Sequence, residues 1–139
     1  MLLLGFQDIK DKDIVCLYKN RLKKLGHSFP SKNNNTERWH NNRKKIKNLL
    51  YFYEVLPKSL LQKLQLNIAY LDRLQNAIGL WHDIFSIEEL LRKEGFTDKK
   101  MLGKLQKRHS RLRTSIFVLS DDFERKIEAP TKIFAVPMR

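Results

Sequence analysis

Four histidines, His27, His40, His82 and His109, are the side chains of this 139-residue chain with the widest choice of chemistry near neutral pH. None has a second histidine four residues away with a glutamate between them, so a zinc-protease type of metal helix is absent. His109 projects onto the apolar face of its helix and reads as a core histidine satisfied within the protein. His82 and Asp83 are adjacent, and neighbours on a helix diverge by about 100°, so they cannot form a dyad with each other. Asp83 is expected to pair with a base on another helix, a structural role. The pairs Glu88 with Glu89 and Asp121 with Asp122 point apart for the same reason and make poor acid/base couples or metal sites. Serine and histidine spacings nominate no nucleophile and base. The reading is of a protein with no catalytic residues, no metal and no cofactor.

His40 differs from the other three in its company. On a helical projection it shares an arc with Arg43, Lys44 and Lys47, directly beside the apolar stripe, where side chains can line a groove. An anion there would favour the imidazolium form and give a titratable phosphate contact. A second cationic ribbon lies further on: Lys100, Lys104, Lys107, Arg108 and Arg111 fall within about 100° of arc. Residues 99–113 carry seven bases and no acid, and residues 14–36 five bases and no acid. Like charges one turn apart repel by a few tenths of a kcal/mol per pair, a cost that an anionic ligand would relieve.

The whole composition agrees with a polyanion as partner. Lys and Arg number 28 against 15 Asp and Glu, a formal net charge of +13. Apolar residues make up 42% of the chain, enough for one folded domain over residues 1–139 and too many for a disordered basic tail. The five glycines form neither a dinucleotide fingerprint nor a phosphate-binding loop, which disfavours a nucleotide-driven enzyme. One cysteine, Cys16, rules out an internal disulfide, suits a reducing cytoplasm and is expected to be buried and inert. No apolar run approaches the ~18 residues that span a bilayer, so a soluble cytoplasmic protein is expected.

Helices must position these side chains. Ile14, Tyr18, Leu22 and Leu25 repeat at helical spacing, with Gly26 as the expected stop and a polar loop over 30–35. Asn35 or Thr36 caps a second helix, where Trp39, Ile46, Leu49, Leu50, Tyr53 and Leu56 form the apolar stripe. Pro57 opens a long third helix through Leu60, Leu64, Leu71, Leu74, Ile78 and Trp81, with a restart marked by Ser86 and Glu89 and a terminator at Gly95. Thr97 caps a fourth, in which Leu102, Leu105, Leu112, Ile116, Leu119 and Phe123 share one face; Pro130 and Pro137 follow it. Sheet is nearly absent, with a period-two hint only over 132–136. The expected fold is all-α, an antiparallel four-helix bundle. The segment 129–139 is either an extended arm to a partner subunit or a frayed end.

Two stretches carry a family resemblance. Residues 40–54, HNNRKKIKNLLYFYE, resemble the HxxRKxxKxLRYxxE helix of CHAD domains, the conserved-histidine α-helical family. Residues 74–83, LQNAIGLWHD, resemble that family's LQxxLGxxHD stretch at the expected distance downstream, so the motif-bearing region is 37–91. The resemblance implies non-catalytic binding of inorganic polyphosphate through a basic, histidine-containing surface. It carries over His40, Arg43, Lys44 and Lys47 from the first motif and His82 and Asp83 from the second. Leu50 stands where the family has arginine, and the length fits one of the two pseudo-symmetric four-helix halves of a full CHAD domain. A half domain that pairs with a second copy, a homodimer, is one reading; a divergent or truncated member with a reduced site is the other. The ribbon of Lys104, Lys107, Arg108 and Arg111, found by projection alone, suits the same ligand. An RNA- or DNA-binding basic protein is the alternative, with Trp39, Tyr51, Phe52, Tyr53 and Trp81 available for stacking if they are not core. Polyphosphate binding would associate the protein with cytoplasmic polyphosphate granules.

Overall fold

The computed structural model describes residues 10–29 and 36–128, and among these it contains six helices and no strand. They are α1 (Asp11–Ser28), α2 (Thr36–Val55), α3 (Lys58–Leu64), α4 (Ile68–Lys93), α5 (Lys99–Ser120) and α6 (Phe123–Glu128). The all-α expectation holds, with six helices where four were expected. The expectations for Asn35, the loop over 30–35, Pro130, Pro137 and the tail 129–139 lie outside the described residues.

Helix α1 is longer than its apolar repeat suggests. Asp13 turns back to accept from the Lys10 backbone N–H at 3.1 Å, which fixes its start. The chain passes through Gly26 without stopping, so His27 lies inside the last turn, exposed and 3.9 Å from Glu124. Cys16 is exposed, contrary to expectation, because it lies two residues and some 200° round the helix from buried Tyr18.

The expected third helix is two helices. Gln65 adopts a left-handed conformation (φ 47°), which ends α3 after Leu64. Asn67 then restarts the chain: its side chain accepts from the Tyr70 backbone N–H at 3.1 Å, and its own N–H donates to the Ile127 carbonyl at 2.8 Å. Helix α4 continues unbroken through Ser86 and Glu89, where a restart was expected, and Glu89 instead pairs with Arg92 at 2.9 Å. Gly95 does terminate α4. It takes φ +71°, with its N–H donating to the Arg92 carbonyl and that of Phe96 to the Leu91 carbonyl, a Schellman cap. Asp98, not Thr97, caps α5, its carboxylate accepting from the backbone of Lys100 and Met101 at 3.1 and 3.4 Å. A carboxylate acceptor with a full negative charge suits the positive helix start better than the neutral threonine hydroxyl. Helix α5 ends at Ser120, and Phe123 belongs to α6 beyond a turn in which Asp122 has φ 54°.

Helix α4 is central to the packing. Leu71, Leu74 and Ile78 are wholly buried, and Ile46 of α2 and Ile116 of α5 are equally enclosed. Trp39 packs edge-on against both Trp81 (4.6 Å between ring centroids) and Phe117 (5.3 Å), tying α2, α4 and α5 together. The buried Tyr18 hydroxyl donates to the Leu49 carbonyl at 2.7 Å, and that of Tyr70 to the Leu119 carbonyl, locking α1 to α2 and α4 to α5. Only the inner half of α5 reaches this core; no residue over 99–115 is buried.

Candidate functional site

The site grows from the antiparallel contact of α2 with α4. Trp39 faces Trp81, so the next residue of each helix falls alongside the other, and the His40 and His82 rings stack at 4.6 Å with 23° between their planes. Ser28 donates to the buried Asn42 side chain at 3.0 Å, which sets the rotation of α2 and turns Arg43 toward α4. Arg43 lies over Gly79: a Cβ built on Gly79 would stand 2.9 Å from Arg43 Nε, 3.2 Å from Nη2 and 3.3 Å from Cζ. Lys47 is half-buried one turn further along α2, and Lys44 is exposed on the same flank.

Three polar atoms at the α2–α4 contact are buried without a hydrogen-bond partner, His40 Nδ1, Arg43 Nε and Trp81 Nε1, as are four side-chain atoms elsewhere among the described residues. A buried donor left unpaired costs on the order of 1–3 kcal/mol, so the arrangement is expensive for stability alone. Partial burial, then the neighbouring His82, Lys44 and Arg43, lower the His40 pKa from its ordinary value. The charged neighbours that move it are all cations. The free groove thus disfavours the charged form of His40, and nearby negative charge would act in the opposite direction.

The α5 ribbon is on a different surface. His109 faces α4, 3.4 Å from Glu88 and against the Trp81 and Phe85 rings, as a core-facing histidine should be. Lys107 and Arg111 are two residues to either side of it and therefore some 160° away, on the outer side of α5. With Lys104, Arg108, Leu112 and Ser115 they line a shallow depression of about 560 Å³. The structure therefore brings together His40, Arg43, Lys44, Lys47 and His82 in one place, and Lys104, Lys107, Arg108 and Arg111 in another. They do not line one groove.

Asp83 corrects an expectation: it is exposed and joins no ion pair among the described residues, because its place on α4 points away from α2 and α5. Sequence reasoning missed two residues near the site. Gly79 falls at the glycine of the LQxxLGxxHD resemblance, but nothing on its own helix indicates which side chain it accommodates. Arg113 caps the Phe117 ring (5.8 Å from Cζ to the centroid), and its spacing of four from His109 was the signal that it faces inward. Among the expected stacking aromatics, Trp39 and Trp81 are core, Phe52 and Tyr53 are half-buried, and Tyr51 is exposed. Among the described residues no group of three or more His, Cys, Asp or Glu is placed to hold a metal ion, and no helix is long and apolar enough to cross a membrane.

No curated protein and no solved structure matches the chain. The profile of the CHAD domain family, however, matches residues 16–92, which reaches back into α1 and ends one residue short of the close of α4. That span contains the whole α2–α4 groove with its stacked histidines and excludes the α5 ribbon. This chain belongs to the CHAD domain family.

Proposed function

We propose that the protein binds inorganic polyphosphate without chemically altering it, and that the α2–α4 groove is the principal contact. The observation that carries this reading is the stacked His40–His82 pair beside Arg43, Lys44 and Lys47, with the Arg43 Nε buried and unpartnered. Membership of a family associated with polyphosphate supports the same ligand. Arg43 supplies a planar donor fork, Lys44 and Lys47 supply point charges, and His40 supplies a charge that appears on binding. Polyphosphate carries about one charge per phosphate and no bases, so such a surface can follow it without reading a sequence. Lys104, Lys107, Arg108 and Arg111 form a second, outlying contact. The protein would accordingly reside where polyphosphate does, in the cytoplasm and on polyphosphate granules. A second copy would supply the other half of a full CHAD domain, and light scattering of the purified protein tests that pairing directly.

One observation favours a nucleic-acid ligand instead. Tyr51, 59% exposed, is one turn beyond Lys47 on the same flank of α2, where a base could stack on it. Fluorescence anisotropy with long-chain polyphosphate and with single-stranded RNA of matched charge, each across a salt series, separates the two. Polyphosphate should bind more tightly, and Tyr51→Ala should leave its affinity unchanged. Tighter RNA binding that is lost in Tyr51→Ala would transfer the site to nucleic acid.

A further inference from the structure

Glycine in the interior of a helix is unfavourable relative to alanine because it leaves the unfolded chain freer. Gly79 stands in the middle of α4 and has no backbone reason to be there: Gly95 is the glycine with positive φ among the described residues. What its missing side chain provides is space, and the three heavy atoms nearest to a Cβ at this position all belong to the Arg43 guanidinium. A side chain at this position would therefore first displace the Arg43 guanidinium, ahead of any α2 backbone atom. Two other helical glycines differ. A Cβ on Gly103 would meet nothing, and one on Gly26 would meet the Phe123 ring in a packing contact remote from the groove.

We propose that Gly79 is a positioning residue: a notch in α4 that seats the Arg43 guanidinium flat against the helix, one turn from His82, and so holds its donor fork ready for a phosphate. The choice of phosphate as ligand rests on the polyphosphate reading above; the seating of Arg43 does not. An arginine free to sample all its rotamers would lose that freedom on binding, whereas a seated one has already lost it. The unpartnered Nε is part of the same arrangement, buried against Gly79 and kept there by contact, with no hydrogen bond to hold it.

A double-mutant cycle tests this. Long-chain polyphosphate is titrated by anisotropy into the wild type, Gly79→Ala, Arg43→Ala and the double variant. Each single substitution should weaken binding by about tenfold, the scale of one charge-assisted contact, and the double variant should be no weaker than Arg43→Ala alone. The thermal midpoint of Gly79→Ala should equal or exceed that of the wild type, because its methyl displaces only the tip of a flexible side chain and removes a helical glycine. Wild-type affinity in Gly79→Ala, or losses that multiply to about a hundredfold in the double variant, would overturn the proposal. A ligand-free readout keeps the two readings separate. The Arg43 Nε–H signal in a 15N-resolved NMR spectrum should be protected from exchange in the wild type and move to the position of exposed arginines in Gly79→Ala. If polyphosphate fails to bind the wild type, the functional reading falls while this signal still decides the role of Gly79; an unprotected or unmoved signal refutes it.

Discussion

Protonation of the stacked histidines sets a definite limit on how polyphosphate binding can depend on pH. In the free groove the His40 pKa lies below 6.5, lowered by partial burial and by His82, Lys44 and Arg43. Bound phosphate favours the imidazolium, so the pKa is higher in the complex and binding takes up a proton. Affinity is therefore greatest at low pH, where the ring is already charged. It falls as pH rises through the window between the free and bound values, and is flat above it. Two unit charges at 4.6 Å repel by about 3.6 kcal/mol at an effective dielectric near 20, and by about 0.9 kcal/mol if water screens them fully. That repulsion disfavours charging both rings at once, and the uptake ascribed to His40 alone is one proton. Anisotropy with long-chain polyphosphate at constant ionic strength should show affinity changing by at most about tenfold per pH unit. His40→Gln should give a flat profile near the wild-type value at high pH. His82→Gln should keep the slope and move its window upward, because one repelling neighbour is gone. A change of about a hundredfold per unit, or a wild-type profile unaltered by His40→Gln, would refute the reasoning.

Arg43→Ala should weaken polyphosphate binding by about tenfold or more and Lys44→Ala by less than about fivefold, since the half-buried guanidinium is less screened than the exposed ammonium. Both should reduce the slope of log affinity against log salt by a similar amount, near 0.7, because each removes one counterion-releasing contact. Equal affinity losses would show that the groove gives Arg43 no advantage. Gly26→Ala should destabilise the fold by about 1–2 kcal/mol in urea unfolding with an unchanged slope. Its Cβ would meet the Phe123 ring at 2.9 Å, and a packed ring cannot move aside as an arginine tip can. A stabilised variant would mean that α6 repacks freely on α1.

Much of the fold is legible from the 3.6-residue period. Tyr18, Leu22 and Leu25, or Trp39, Ile46 and Leu49, mark their buried faces without help from the rest of the chain. The break at 65–67 is not legible, because Leu64, Leu66 and Leu71 keep apolar residues coming across it. What ends the helix is a left-handed Gln65 and a hydrogen bond from Asn67 to Ile127, sixty residues away. The site divides in the same manner. The arc of His40, Arg43, Lys44 and Lys47 follows from one helix alone. His82 enters through the family resemblance, since nothing on its own helix says which neighbour it will stack upon. Gly79 acts through a side chain of another helix, and the outward aim of the α5 ribbon depends on which face meets α4. Such facts belong to pairs of helices, and a single periodic pattern cannot contain them.

The uneven burial of α5 implies an uneven resistance to opening. Its inner end, at Ile116, is enclosed with the same core as Leu71 and Ile78, whereas no residue over 99–115 is buried. A segment without fully buried side chains opens locally at a lower free energy than one anchored in the core. Amide exchange should then be graded along this one helix, fast toward Asp98 and slow toward Ser120. A polyanion that engages Lys104, Lys107, Arg108 and Arg111 only in the closed segment would hold it closed, so its binding would be readable as slowed exchange in α5.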